Sequence, residues 1–212
     1  SLLVIRRPKT IMTKNYKYYA PEEVMGIRPE VKPPLLIKNL LEPELFKNTV
    51  NTLNSYTPEM LSYDRSFGRF MLKDTVGAMP DQLLEHCLDK AREIFGSSTL
   101  LPTYSCYVRY KGARANLRHH RDSNACTYTL DLCLTANADW PLVVEEQEYL
   151  LNPNEALCFY GEDQLHWRTP FPDKENTVID MVFLHYVEPD HWWFTHGADY
   201  HQVLLANREP GM

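Results

Sequence analysis

After Gly96 the chain changes character. Tyr104 to Tyr110, Cys126 to Leu134, Leu142 to Val144, Ala156 to Tyr160 and Thr177 to Val187 are short runs rich in β-branched and aromatic residues, divided by clusters of Gly, Pro, Asn and Asp. Runs of this length between turn formers read as strands, and so many in succession need a sandwich or jelly roll to bury their apolar faces. Before Gly96 the periodicity is helical. Leu35-Leu36-Ile37 reads as a short strand, and Glu42-Pro43-Glu44 then opens a helix whose apolar face is Leu45, Phe46, Val50 and Leu53. A second helix starts at Pro80 and Asp81, repeats Leu83, Leu84, Cys87, Leu88, Ala91, Ile94 and Phe95 at helical spacing, and stops at Gly96. Helices first and strands afterwards predict a mainly β fold with supporting helices.

The chain has 212 residues, enough for one substantial core. Its 22 basic residues against 28 acidic ones leave a net charge of −6, so no broad cationic field exists to hold a nucleic acid. Cys87, Cys106, Cys126, Cys133 and Cys158 form an odd set without C-x-x-C spacing, which reads as reduced, buried thiols and an intracellular, cytoplasmic setting. No run approaches the roughly 20 apolar residues of a membrane span, and no charged-then-apolar leader is visible. The first residue is Ser1 rather than Met, as expected for a domain trimmed from a longer chain. Residues 1–33 are basic, Tyr-rich and Pro-punctuated, and read as an N-terminal extension or linker arm. Residues 34–188 hold the folded domain, and 189–212, with Trp192 and Trp193, a tail packing on the core.

One group of residues carries chemistry. His120-Arg121-Asp122 on an extended strand puts residues 120 and 122 on one face, and His166 follows later. Two imidazoles and one carboxylate on one side of a metal ion leave the opposite positions open. A non-haem Fe(II) centre needs those positions for co-substrate and dioxygen. Taken alone, the same residues also fit a structural ion pair and an ordinary strand histidine.

The ordered landmarks Tyr110-Lys111-Gly112, His120-Arg121-Asp122-Ser123, Leu151-Asn152-Pro153-Asn154-Glu155-Ala156-Leu157, His166 and Phe183-Leu184-His185-Tyr186-Val187 resemble the prolyl-4-hydroxylase-like branch of the 2-oxoglutarate/Fe(II) dioxygenase superfamily. Pro34 to Leu41, followed by a helix, resembles the opening segment of that branch, so the likeness runs over residues 34–188. It implies a double-stranded β-helix (jelly roll) core and Fe(II) held by His120, Asp122 and His166. It implies 2-oxoglutarate and dioxygen as co-substrates, with ascorbate in support. The implied reaction hydroxylates an aliphatic carbon of an amino acid, a peptidyl side chain or a related small polar substrate, with release of succinate and CO2.

There is one departure from the pattern. The resembled branch usually carries an Arg or Lys on the strand after the distal His, to hold the far carboxylate of 2-oxoglutarate. Here that strand reads Thr177-Val178-Ile179-Asp180-Met181-Val182, without a basic residue. Arg168, two positions after His166, is expected on the same inward face, and its planar fork suits a carboxylate; Arg109 and Lys174 are weaker choices. Tyr110, ten positions before His120, stands where the hypoxia-type prolyl hydroxylases carry a tyrosine that contacts 2-oxoglutarate. Asp131, within Tyr128-Thr129-Leu130-Asp131-Leu132, either faces solvent or meets a polar partner such as a substrate amine. Alternation does not choose between these. The missing late basic residue also leaves a second class open: a non-catalytic jelly-roll metal- or ligand-binding module that does not turn over 2-oxoglutarate.

Overall fold

The computed structural model of the chain describes residues 29–172 and 175–195. Most of the N-terminal arm, Lys174 and the tail after Thr195 therefore lie outside the described residues. The described part begins with β1 (Leu35–Ile37) and turns into α1 (Pro43–Asn54). Pro43 sits at the first helical turn, where no backbone donor is needed, and Glu44 faces the positive end of the helix dipole. A hairpin of β2 (Leu61–Asp64) and β3 (Arg69–Leu72) follows, which the strand pattern did not announce. The single helix expected up to Gly96 is two, α2 (Met79–His86) and α3 (Leu88–Phe95). The backbone at Cys87 (φ −85°, ψ 0°) leaves helical geometry, yet its N–H still reaches Leu83 O and its carbonyl accepts the Ala91 amide, so the apolar face continues across the break. Gly96 ends α3 in the left-handed region (φ 71°), which only glycine adopts without steric cost.

The strands that follow are β4 (Leu101–Lys111), β5 (Tyr128–Ala136), β6 (Leu142–Val144), β7 (Gln147–Tyr149), β8 (Ala156–Phe159), β9 (His166–Arg168) and β10 (Val178–Val187), before a short α4 (Trp192–Thr195). All pairings are antiparallel. One sheet runs β1-β8-β5-β10-β4-β3-β2 and a smaller one β7-β6-β9, so most of the pairings, β1–β8, β8–β5, β5–β10, β10–β4 and β6–β9, join strands that are not consecutive in sequence, as in a jelly roll.

Side-chain alternation sorts the large sheet into two faces. Leu130, Leu132 and Leu134 of β5 join Val182, Leu184 and Tyr186 of β10 in packing under Leu53, Leu83 and Ala91 of the helices. The intervening residues Cys133, Ile179 and Met181 point the other way and pack with Trp140, Leu142, Val144, Leu157 and Phe159 between the sheets. A strand covered on both faces reads as a near-continuous apolar run, which is how β5 and β10 stood out in the sequence. On the helix side Arg109, Tyr107 and Thr135 all meet Asp180, at 2.8, 2.6 and 2.7 Å. Arg109 is thereby committed away from the space between the sheets.

Asn154 fastens the opening segment to the sheet. Its Oδ1 accepts the Leu41 amide at 2.9 Å, its Nδ2 donates to the Leu41 carbonyl at 2.9 Å, and it does so from a left-handed backbone (φ 66°). Asn154→Ala leaves the buried N–H and C=O of Leu41 without these partners and should lower the unfolding free energy by about 2–4 kcal/mol. Urea unfolding measures this; a change below about 1 kcal/mol would contradict the clamp.

Candidate metal centre

Backbone pairing builds the site. The His120 amide donates to the His166 carbonyl at 3.0 Å and the His166 amide donates back at 2.9 Å, an antiparallel bridge that sets the two histidines side by side. The Asp122 amide then donates to Gly161 O at 2.8 Å, so the carboxylate arrives on the same face two residues on. His120 Nε2 lies 3.5 Å and His166 Nε2 3.6 Å from Asp122 Oδ1, and the imidazole centroids are 4.1 Å apart. Ligands bound at about 2.1 Å in adjacent coordination positions stand about 3 Å apart, so this spacing accepts a metal ion with little adjustment.

The tautomers agree. His120 Nδ1 lies 2.7 Å from Arg118 O and His166 Nδ1 3.0 Å from Gln164 O. A carbonyl only accepts, so each Nδ1 carries the hydrogen and each Nε2 keeps its lone pair for the shared space. Two neutral imidazoles and a carboxylate, with ligand atoms all within 4.8 Å of one another, fit the donor set of a ferrous centre. Burial favours the neutral acid at Asp122, but His166 and His120 outweigh it and hold the carboxyl well below its usual range. Burial also opposes charge on His166, and the Asp122 carboxylate more than compensates, raising its pKa. At His120 burial and the neighbouring His166 together lower it.

Gly161 makes room for this. A Cβ there would stand 2.5 Å from Asp122 Oδ2, 2.7 Å from Thr129 Oγ1 and 2.9 Å from the Cys126 carbonyl.

A cavity of about 420 Å³ adjoins the triad, with Arg69, Asp131, Phe183 and His185 among its lining. That volume suits a small organic ligand. Arg168 is buried on the inward face of β9, as expected. Its guanidinium lies over Trp140 at 4.7 Å, donates to the Trp140 carbonyl, and meets Met181 Sδ of β10 at 3.8 Å. Tyr110 is fully buried with its ring edge on Trp140, and its hydroxyl accepts Arg69 Nη1 at 2.9 Å. Arg168 and Tyr110 therefore stand close together, behind the residues that line the open part of the cavity.

Arg69 is the residue that sequence reasoning missed. It lines the cavity from β3, pairs with Asp64 at 3.1 Å and lies 4.6 Å from the centroid of Phe67, whose ring packs 5.2 Å from that of His120. The available signal was the turn Arg65-Ser66-Phe67-Gly68, four residues with a glycine between two strand-length segments. Gly68 (φ 60°) lies flush on the Arg114 carbonyl, which a Cβ would meet at 1.9 Å. His185 lines the cavity, its Nδ1 3.1 Å from Thr129 Oγ1. His119 does not line it and stacks on Trp167 at 4.1 Å. Asp131 faces inward rather than to solvent, 5% exposed.

No family model matches the sequence, and no curated protein sequence matches it. Solved structures do. The chain superposes on the non-haem alpha ketoglutarate dependent epimerase SnoN from nogalamycin biosynthesis with a TM-score of 0.60 at 10% identity, over 73% of this chain and 78% of that one. A prolyl hydroxylase from Trichoplax adhaerens, solved with a hypoxia inducible factor peptide, gives 0.58 at 16% identity over 75% and 85%. A prolyl-4-hydroxylase from Pseudomonas putida gives 0.55 at 15% over 72% and 91%. The chain has the fold of the 2-oxoglutarate/Fe(II) oxygenases. Within that fold the cavity residues decide what is done. All five cysteines are free thiols, and no helix among the described residues is long and apolar enough to cross a membrane.

Gly161→Ala should leave the fold standing and displace the Asp122 carboxylate. Affinity for Fe(II), or for Mn(II) in its place, is expected to fall about 10–100-fold by metal titration. Unchanged affinity would show that Gly161 does not set the ligand position.

Proposed function

We propose that the protein is an Fe(II)/2-oxoglutarate-dependent oxygenase that hydroxylates an aliphatic carbon of an amino acid, a peptidyl side chain or a related small polar substrate, releasing succinate and CO2. The observation that carries this reading is the convergence of two Nε2 lone pairs and one carboxylate on a cavity that the protein leaves open. Fe(II) held by His120, Asp122 and His166 supplies oxidation driven by decarboxylation of the 2-oxo acid. The rest is the work of the chain. The Nδ1 bonds to Arg118 and Gln164 hold both imidazoles in one orientation. Asp122 keeps its negative charge across the working range because the histidines stabilise it. Phe67, Leu117 and Phe183 give the cavity an apolar wall that limits water.

The departure on β10 has a compensation. Where the resembled branch carries a basic residue on that strand, Met181 faces inward here, and the Arg168 guanidinium reaches it from β9. Arg168 is thus the cation for the far carboxylate of 2-oxoglutarate, with Tyr110 beside it and Arg69 holding the tyrosine hydroxyl. A cation at this place supports the catalytic reading over a non-catalytic binding module. Among structures with the same fold, SnoN has been solved with Fe3+, alpha ketoglutarate and nogalamycin RO, and the Trichoplax enzyme with a peptide. The peptide complex supports a peptidyl side chain among the substrate classes named above.

Protein supplied with Fe(II), 2-oxoglutarate and ascorbate in air should release succinate and CO2. Asp122→Ala should reduce release roughly 100-fold or more. Succinate at the iron-free level with the native chain, across a panel of amino acids and peptides, would end the oxygenase reading. In the active protein Arg168→Met should raise the KM for 2-oxoglutarate about 10–100-fold, the loss expected for one charge-assisted contact, and Arg168→Lys should recover part of it. An unchanged KM would move the carboxylate elsewhere.

A further inference from the structure

Asp131 lies in the same cavity without holding the metal. It projects inward from β5, is 5% exposed, and lines the cavity shared with the triad. Its cross-strand neighbours are Leu157 on one side and Phe183 on the other, neither of which offers a donor. Among the described residues nothing hydrogen-bonds to its carboxylate and no cation pairs with it within 4.0 Å, and its oxygens are not sealed into the packing. Buried acids are normally paired, so one kept facing a cavity is an acceptor waiting for a donor from outside.

The charges in the cavity point the same way. Arg69 is paired with Asp64, which leaves Arg168, whose charge acts on Asp131, as one cation against the two carboxylates Asp122 and Asp131. A divalent ion and the 2-oxoglutarate dianion cancel each other. One negative charge is left over, and Asp131 is the carboxylate that no hydrogen bond or close ion pair holds among the described residues. We propose that Asp131 receives a cationic group of the substrate, an ammonium or guanidinium, so that the enzyme acts on a basic amino acid, a basic peptidyl side chain or a related amine. The inference rests on the oxygenase reading of this cavity and narrows it. The ring of Phe183, opposite Asp131 across the β5–β10 pairing, adds a π face of the kind that attracts such a cation. Burial, followed by the nearby Asp122, pushes the Asp131 carboxyl up to about 7. An arriving cation reverses that effect by favouring the ionised form.

The test uses the full chain loaded anaerobically with Mn(II) and 2-oxoglutarate at about pH 8, where the carboxyl is ionised and amines keep their charge. The probes are n-butylammonium and its neutral counterpart n-butanol. Mn(II) in the triad speeds proton relaxation of any probe held in the cavity, so NMR locates binding without turnover. The ammonium methylenes should relax several-fold faster than those of the alcohol. Asp131→Asn should cut that difference roughly fivefold or more, as for one lost charge-assisted contact. Equal relaxation of the two probes, or an enhancement that survives Asp131→Asn, overturns the proposal. If that variant does not fold, the ammonium-to-alcohol comparison in the native chain decides alone. Failure of the native chain to bind Mn(II), read by EPR in the same sample, would instead overturn the metal site and with it the oxygenase reading.

Discussion

Two backbone hydrogen bonds, exchanged between residues 120 and 166, hold the candidate site together. They bring two histidines from distant parts of the chain to adjacent positions. A third bond, from Asp122 to Gly161, sets the carboxylate. Everything chemical in the cavity is placed relative to these three contacts, because imidazole rings whose Nδ1 atoms are tied to carbonyls have little freedom left. The geometry is therefore a property of strand pairing, and the side chains inherit it. The surrounding sheets supply the stiffness: β10 lies between β4 and β5, and both of its faces are packed.

The grouping of His120, Asp122 and His166 was legible in the sequence because short, strongly typed residues recur in a fixed order along an extended chain, and period-two alternation says which of them share a face. Arg168 was legible for the same reason, being two residues from His166 on one strand. Its commitment to the Trp140 carbonyl was not, since that contact joins β9 to a residue 28 positions earlier. The break at Cys87 was hidden because the apolar face of α2 runs on into α3, and periodicity reports the face rather than the backbone. Arg69 escaped because β2 and β3 are only four residues long and half-exposed, too brief for alternation to show. For Asp131 pattern alone gave two options, and only the packing of Leu130 and Leu132 toward the helices decided that it faces inward.

Charge is distributed across the fold with some economy. The buried carboxylate of Asp180 collects an arginine and two hydroxyls on the helix side of the sheet. On the other side of the same sheet, Asp122 meets the histidines, while Asp131 meets no donor. Asp180 and Asp131, buried to a similar degree, thus differ in whether the protein supplies a partner. That contrast separates architecture from recognition within one sheet.

The β2–β3 hairpin stands at the edge of the large sheet, next to β4, and Phe67 and Arg69 reach the cavity from it. The three candidate metal ligands come from other parts of the chain. Mouth and candidate ligands are therefore only partly separable: positions of the hairpin other than Phe67, Gly68 and Arg69, which touch His120, Arg114 and Tyr110, could be exchanged to admit a different molecule while the triad keeps its place. A barrel organised in this way can change its clientele faster than its chemistry.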